Sequence, residues 1–332
     1  MPLIAGNGPV AEEFRGGVIA VGNFDGVHRG HQKVLELAGA EAKTLGAPLG
    51  VMTFEPHPRT FFRPDQPLFR LTPLDLKADL MHAAGADYVF ALNFDAELAG
   101  LPAEDFIRRE LHERLGARHV VTGYDFHFGK GRKGSPDLIA TMGADLGFGS
   151  TVVEQVTDDD GLAPFSSSAI REALRRGEVK GAAEQLGYWW SVRGKVVKGD
   201  QRGRTIGFPT VNIEMGNDGH PARGIYACRV RCMETGETWR GAGYVGERPT
   251  FDRKGVVLEV YLLDFEGDLY GRSLSVQFNS YIRPDHRYEG VDALVAQMTA
   301  DCEEIARQLA ALEADDPIAA HRLGQAQRVG DV

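Results

Sequence analysis

A chain of 332 residues, 43% apolar and 25% charged, has an ordinary globular composition and is long enough for two domains with separate cores. Its net charge of −10 argues against a nucleic-acid partner, and no apolar run approaches the roughly 18 residues of a membrane helix, so neither nucleic acid nor membrane is expected as a partner. Cys228, Cys232 and Cys302 are too few and too unevenly placed for a disulfide framework or a four-ligand zinc site, and residues 1–15 lack the basic-then-apolar order of a secretory signal. A cytoplasmic protein with reduced thiols is expected, and self-association is left open.

The first half alternates short β-rich runs with helical patterns. Strands are expected at 18–21, 49–53, 88–92, 119–123 and 151–154, and helices at 32–45, 73–84, 103–115 and 136–146, with Thr72 as an N-cap before Pro73. This order predicts an α/β Rossmann-like domain with a parallel sheet whose ligands sit at the carboxyl ends of the strands.

The run Gly22-Asn23-Phe24-Asp25-Gly26-Val27-His28-Arg29-Gly30-His31 directly follows the first of these strands. A strand, a tight loop and a helix start bring free backbone N–H groups and the positive helix end together, which suits a polyphosphate. His28 and His31 add donors, and Gly30 keeps side-chain bulk away between them. Preorganised donors at an attacked phosphorus are what phosphoryl or nucleotidyl transfer needs. Thr53-Phe54-Glu55-Pro56-His57-Pro58 ends the second strand and can shape the same crevice, although Phe54 fits core packing equally well. The loop from Gly123 to Gly134 mixes Asp125, Phe126 and Phe128 with Lys130, Arg132 and Lys133, a place for a flat heteroaromatic ring to stack while cations meet its phosphate. Asp158 to Gly161 is expected to be a solvated loop. Ser167, Ser168 and Arg171 then open a helix with hydroxyls and a phosphate-clamping cation.

After residue 187 the pattern changes to alternating strands bounded by Gly, Pro and Asp, at 191–198, 225–233, 238–245, 256–263 and 274–282. Such spacing predicts a small antiparallel β-barrel, closed by a C-terminal helix near 291–312 with Leu294, Met298, Cys302 and Ile305 at helical spacing. The expected division is therefore 1–186, 187–312 and a frayed tail, 313–332. Within the second domain, Gly203, Arg204 and Gly207 lie in a glycine-rich loop able to wrap a polyphosphate. Thr210 and Asn212 follow with hard oxygen donors of the kind Mg2+ accepts. Glu259 lies in the run 256–263, where a carboxylate near a substrate hydroxyl can orient it and take its proton, but spacing alone does not select it over Asp264 or Asp268, and on the residues alone a surface strand glutamate is the better reading.

Eight motifs in order resemble the bacterial bifunctional riboflavin kinase and FAD synthetase family. In the first half they are the 22–31 loop, Thr-Phe-Glu-Pro-His-Pro, Gly-x-Asp-Phe-x-Phe-Gly and Ser-Ser-x-x-Ile-Arg. In the second they are Gly-Arg-Thr-x-Gly-Phe-Pro-Thr-x-Asn, Gly-Ile-Tyr, Arg-Pro-Thr-Phe and Asp-Phe-x-Gly-Asp-Leu-Tyr-Gly. The resemblance implies phosphorylation of riboflavin to FMN by ATP, then adenylylation of FMN to FAD with release of pyrophosphate, with Mg2+ as cofactor. It implies that His28 and His31 bind the triphosphate and stabilise the attacked α-phosphate, that Gly22, Asn23 and Asp25 shape their loop, and that Ser167, Ser168 and Arg171 hold nucleotide phosphates. Asp125 falls where the family has a flavin-site polar residue. In the kinase half, Thr210 and Asn212 are implied at Mg2+ and ATP, and Glu259 as the general base. Ser168 replaces the family's usual threonine, and Tyr244 stands where an asparagine is common, which predicts an altered contact in that site. Two other readings are an adenylyltransferase for a different phosphorylated acceptor, and a flavin sensor or storage protein without turnover.

Overall fold

The computed structural model describes residues 2–66, 68–158, 161, 163–199, 202–215, 219–247, 256–330 and 332. Two compact units emerge, Met1–Ser167 with the last two residues, and Ser168–Gly330. Asp159 and Asp160 of the acidic stretch, Asp200 and Gln201, and the Arg-Pro-Thr-Phe motif at 248–251 lie outside the described residues.

The first unit is built on a six-stranded parallel sheet of β1 (Leu3–Ala5), β2 (Val18–Val21), β3 (Leu49–Glu55), β4 (Tyr88–Asn93), β5 (His119–Gly123) and β6 (Gly149–Val153). Their order is β1-β4-β3-β2-β5-β6. Every residue of β2, and all of β3 but its last, is buried, as expected where both faces of a parallel sheet are covered. β2 pairs with β3 on one side and β5 on the other, so the strand order reverses beside it and the ligand crevice of such sheets falls at its carboxyl end. Helix α1 (Arg29–Leu45) buries Val34, Leu35, Ala38 and Ala42 along one stripe and stops at Gly46, whose φ of +57° needs no Cβ. Short helices α2 (Pro58–Phe62), α3 (Leu74–Ala83), α4 (Ala96–Gly100) and α5 (Ala103–Phe106) complete the crossovers with α6 (Pro136–Leu146).

Three local expectations need correction in this unit. Thr72 does not cap α3, which starts one residue later with Pro73 at its N-cap; its side chain is instead committed to the 22–28 loop. The helix expected over 103–115 is α-helical only over Ala103–Phe106 and continues as a π-helix over Ile107–Arg114. β1 is too short to show alternation, and it adds an unexpected edge strand beside β4.

In the second unit α7 (Ser167–Arg175) and α8 (Val179–Leu186) precede a closed antiparallel barrel. Its strands are β7 (Ser191–Val197), β8 (Thr210–Glu214), β9 (Gly224–Cys232), β10 (Thr238–Glu247), β11 (Val256–Leu262) and β12 (Ser273–Arg283), in the cyclic order β10-β11-β8-β7-β12-β9. A single turn, α9 (Arg202–Thr205), lies between β7 and β8. Ile213, Tyr226, Cys228, Val245, Leu258 and Phe278 are all buried, and Cys228 and Cys232 share one strand face as a fully packed pair of thiols. Helix α10 (Val291–Ala314) packs its Ile305 and Leu309 against Ala227 of β9.

The segment after residue 312 is not a frayed tail. It folds back as a 3-10 turn (Pro317–Ala320) and helix α11 (Arg322–Val329), burying Ile318 and Leu323. Gln327 exchanges two hydrogen bonds with the Trp189 backbone, at 2.9 and 2.8 Å, and Asp316 accepts the Trp189 indole N–H at 3.1 Å. These backbone and indole groups are buried and need partners, which is why so short a helix stays docked.

Candidate active sites

In the first unit, His28 is the N-cap of α1, and its Nδ1 accepts the backbone N–H of His31 at 3.3 Å. With Nδ1 accepting, a neutral His28 carries its proton on Nε2 and has a donor there. The two rings stack 3.6 Å apart at 20°, so the histidines form one unit at the helix start. Gly30 eases this arrangement: a Cβ there would lie 3.1 Å from the His28 ring, closer than side chains usually come, and 3.5 Å from Phe165. Behind the helix end, Phe24, Gly26 and Val27 all have positive φ, of +49°, +87° and +38°. Such a backbone persists only where its surroundings over-determine it.

Asp25 supplies that constraint. It is 2% exposed and its carboxylate accepts from the Leu71 and Thr72 amides and from the Thr72 hydroxyl, between 3.1 and 3.3 Å. Gly26 N–H in turn donates to Thr72 Oγ1 at 3.0 Å, and the Ser167 hydroxyl donates to the Asp25 carbonyl at 2.8 Å. Asp25 and Ser167 are therefore brought together as loop anchors, with Gly22 tied by its amide to Met52 of β3 at 3.1 Å. Ser168 and Arg171 continue along α7 in the second unit, where Arg171 is buried.

The aromatic candidates divide. Phe54 is 6% exposed and packs on Phe94 and Phe106 in the sheet's core, and Phe128, 7% exposed, packs on Phe106, so neither presents its ring as a flavin platform. Phe126 stacks on Phe128 at 5.3 Å and 19° and remains partly exposed, next to the exposed Asp125. Gly134 lets this layer close, since a Cβ there would meet the Phe128 ring at 2.6 Å. Alternation cannot tell Phe54 from a ring on the crevice wall, because both faces of this sheet are covered, and Phe128 lies in the 123–134 loop, where no alternation applies.

In the second unit, Asn212 on β8, Glu259 on β11, Tyr244 on β10 and Ile225 on β9 are successive cross-strand partners and so share one face of the barrel. Thr210, two residues from Asn212, lies on that face too, and its hydroxyl donates to Glu259 Oε2 at 3.4 Å. Sequence reading hides β8 inside a glycine-rich loop because its strand carries these polar residues. Gly199 and Gly203 permit the loop's close approach: a Cβ at 199 would lie 2.3 Å from Asn212 Oδ1, and at 203 only 2.2 Å from the Phe208 carbonyl. Gly207 has φ +87° and Arg204 is exposed beside it.

This face borders a cavity of about 240 Å³ that Thr210, Tyr244 and Glu259 share with Tyr261, Tyr288 and Met298. Leu294, Met298 and Cys302, spaced along α10, form its apolar wall, while Ile305 belongs to the helix's core contact. Sequence reading missed Arg283, Asp285 and Asp301. Arg283 grips Asp301 with a bidentate pair at 2.9 and 2.6 Å, pinning β12 to α10, and Tyr244 donates its hydroxyl to Asp285 at 3.1 Å. Burial, with Asp285 beside it, pushes the Tyr244 phenol up to about 12, so it stays a donor through the neutral range.

Two domain models match in sequence order, FAD synthetase over residues 10–169 and riboflavin kinase over residues 186–309. A Pseudomonas fluorescens bifunctional riboflavin kinase/FMN adenylyltransferase is 38% identical over 94% of this chain and 98% of its own length. The chain belongs to the bifunctional riboflavin kinase/FMN adenylyltransferase family. The Escherichia coli K12 relative of that name is 39% identical over 86% of the chain and 90% of its own, and the Bacillus subtilis one 37% over 90% and 94%. A solved structure titled macrolide-efflux protein from Streptococcus pneumoniae superposes with TM-score 0.80 at 30% identity, covering 92% of this chain and 99% of that one. No described helix is long and apolar enough to cross a membrane. As a family member the chain is an enzyme of flavin cofactor synthesis, taking riboflavin, ATP and FMN as substrates and making FAD.

Proposed function

We propose that the 22–31 loop carries out adenylyl transfer and the Thr210, Asn212 and Glu259 face carries out phosphorylation, with the functional division at 186/187. In the first step the terminal ribityl hydroxyl of riboflavin attacks the γ-phosphorus of ATP, Glu259 takes its proton, and ADP leaves with FMN formed. In the second an FMN phosphate oxygen attacks the α-phosphorus of ATP, pyrophosphate leaves, and FAD forms. Neither step needs a covalent enzyme intermediate, so positioning and charge stabilisation carry the rate.

At the first site His28 and His31, with the first-turn amides of α1, hold the triphosphate, and Phe126 with Asp125 meets the flavin. Ser168 and Arg171 are proposed to add phosphate contacts. The observation that carries the kinase assignment is the direct pairing of Asn212 with Glu259 beside Thr210: two neutral hard oxygens next to a carboxylate. That donor set fits Mg2+, which keeps few protein ligands and takes the rest from water and phosphates; bound with ATP it would neutralise charge on the transferred phosphoryl group. A cytoplasmic location, where ATP is made and thiols such as Cys228 stay reduced, fits the three free cysteines.

The test is the Mg2+ requirement of each half-reaction. Thr210→Ala and Asn212→Ala should raise the Mg2+ concentration needed for half-maximal FMN formation and leave that for FAD formation from supplied FMN unchanged. An unchanged requirement in both reactions overturns the assignment.

A further inference from the structure

Lys77 lies on α3, outside the motifs that carry the family resemblance, yet it is 1% exposed. Lysine is almost never so deeply buried without a partner. Its Nζ donates to the Asn23 carbonyl at 3.0 Å and to Thr53 Oγ1 at 3.4 Å, and the Thr53 hydroxyl donates to the same Asn23 carbonyl at 3.0 Å. Asn23 is the residue at which the chain enters the left-handed turn at Phe24. Asp25, Thr72 and Ser167 clamp the later part of that turn, and Lys77 clamps its start. The charged groups facing the ammonium are Asp25 in the loop, Arg70 in the segment before α3 and Glu55 at the end of β3. Arg70 and Glu55 neutralise each other in a bidentate pair at 2.7 Å, and Asp25 is taken up by the amides of Leu71 and Thr72. A neutral hydroxyl already holds the Asn23 carbonyl, so what the lysine adds is a second donor and a positive charge that surrounding protein screens poorly.

We infer that Lys77 is a positioning residue for adenylyl transfer, its buried ammonium fixing the Asn23 carbonyl so that the following turn and the start of α1 present their donors to the ATP polyphosphate. The inference rests on the assignment of this loop to ATP. Burial also lowers the Lys77 ammonium to about 8, which brings its loss of charge within the range of an ordinary assay.

Lys77→Met, Lys77→Arg and His28→Ala are compared in the full chain, with far-UV circular dichroism and cooperative thermal unfolding reporting that both units are folded and riboflavin phosphorylation serving as the internal control for the second unit. Lys77→Met should raise the KM for ATP in FAD formation by about tenfold or more, the scale of one lost charge-assisted hydrogen bond, while the KM for FMN and the phosphorylation rate hold. Lys77→Arg should recover part of the loss. In the wild type, kcat/KM for ATP in FAD formation should fall on the alkaline side of about pH 8, a limb absent from Lys77→Met and flattened in Lys77→Arg. Loss of FAD formation in His28→Ala together with a wild-type ATP KM in Lys77→Met overturns the role of Lys77. Full FAD formation in His28→Ala overturns the loop assignment and the inference with it. Should Lys77→Met fail to fold, a wild-type profile without the alkaline limb, or one that persists in Lys77→Arg, overturns the inference by itself.

Discussion

The Thr210 hydroxyl donates to Oε2 of Glu259 at 3.4 Å, across the ladder between β8 and β11. The contact joins the proposed proton acceptor to the oxygen donors beside it. Glu259→Gln keeps the shape and removes the base. It should lower the rate of FMN formation by about a hundredfold or more, the usual worth of a general base, and leave FAD formation from supplied FMN at wild-type rate. A Gln variant phosphorylating riboflavin at full rate would remove Glu259 from the chemistry.

Tyr244, where the family resemblance leads one to expect asparagine, donates its phenol to Asp285, and both residues line the cavity. Tyr244→Phe keeps the ring and loses that bond. The 284–290 segment should then close less firmly over the cavity, raising the KM for riboflavin about three- to tenfold with kcat nearly unchanged, the scale of one hydrogen bond. Steady-state kinetics with varied riboflavin read it directly.

Lys77 should make stability and function respond to pH in opposite senses. Its folded-state value lies near 8, below the ordinary 10.5 of the unfolded chain. Below pH 8 both states hold the proton and the folded state bears the full cost of a buried charge. Between pH 8 and 10.5 the unfolded state binds more protons, so stability rises with pH. Denaturant unfolding of wild type and Lys77→Met should show their difference moving in favour of wild type by about 3 kcal/mol across that window. A difference independent of pH would contradict the burial of a charged lysine.

Asp316 closes the second unit, accepting the Trp189 indole N–H and pairing with Arg229 at 3.1 Å while itself 9% exposed. Asp316→Ala strands both partners and should cost about 2–3 kcal/mol, read as a lowered thermal midpoint for the barrel. A midpoint unmoved by the change would show that α11 docks without this contact.

The loop proposed to meet polyphosphate was legible because its chemistry is local: β2 ends at Val21, and a turn of positive φ and a helix start occupy the next ten positions, Gly22 to His31. The barrel's strands were legible by alternation, except β8, whose Thr210 and Asn212 replace apolar positions. What stayed hidden depends on contacts between distant segments. Thr72 has the chemistry of an N-cap, and only the fold shows it spent on Asp25. Nothing local marks Lys77 as buried or Phe54 and Phe128 as core rather than crevice. The short helix α11 carries no signal that Trp189, more than a hundred residues earlier, waits for Gln327. The cavity wall of Arg283, Asp285 and Asp301 likewise arises only when α10 folds over the barrel.

The most direct test of two separate sites on one chain is to incubate His28→Ala, Asn212→Ala and an equal mixture of the two with riboflavin, ATP and Mg2+, resolving riboflavin, FMN and FAD over time. At an Mg2+ concentration too low for the Asn212→Ala kinase site, His28→Ala should stop at FMN, Asn212→Ala should make FAD only from supplied FMN, and the mixture should carry riboflavin through to FAD. Loss of both products in either folded variant would contradict the account.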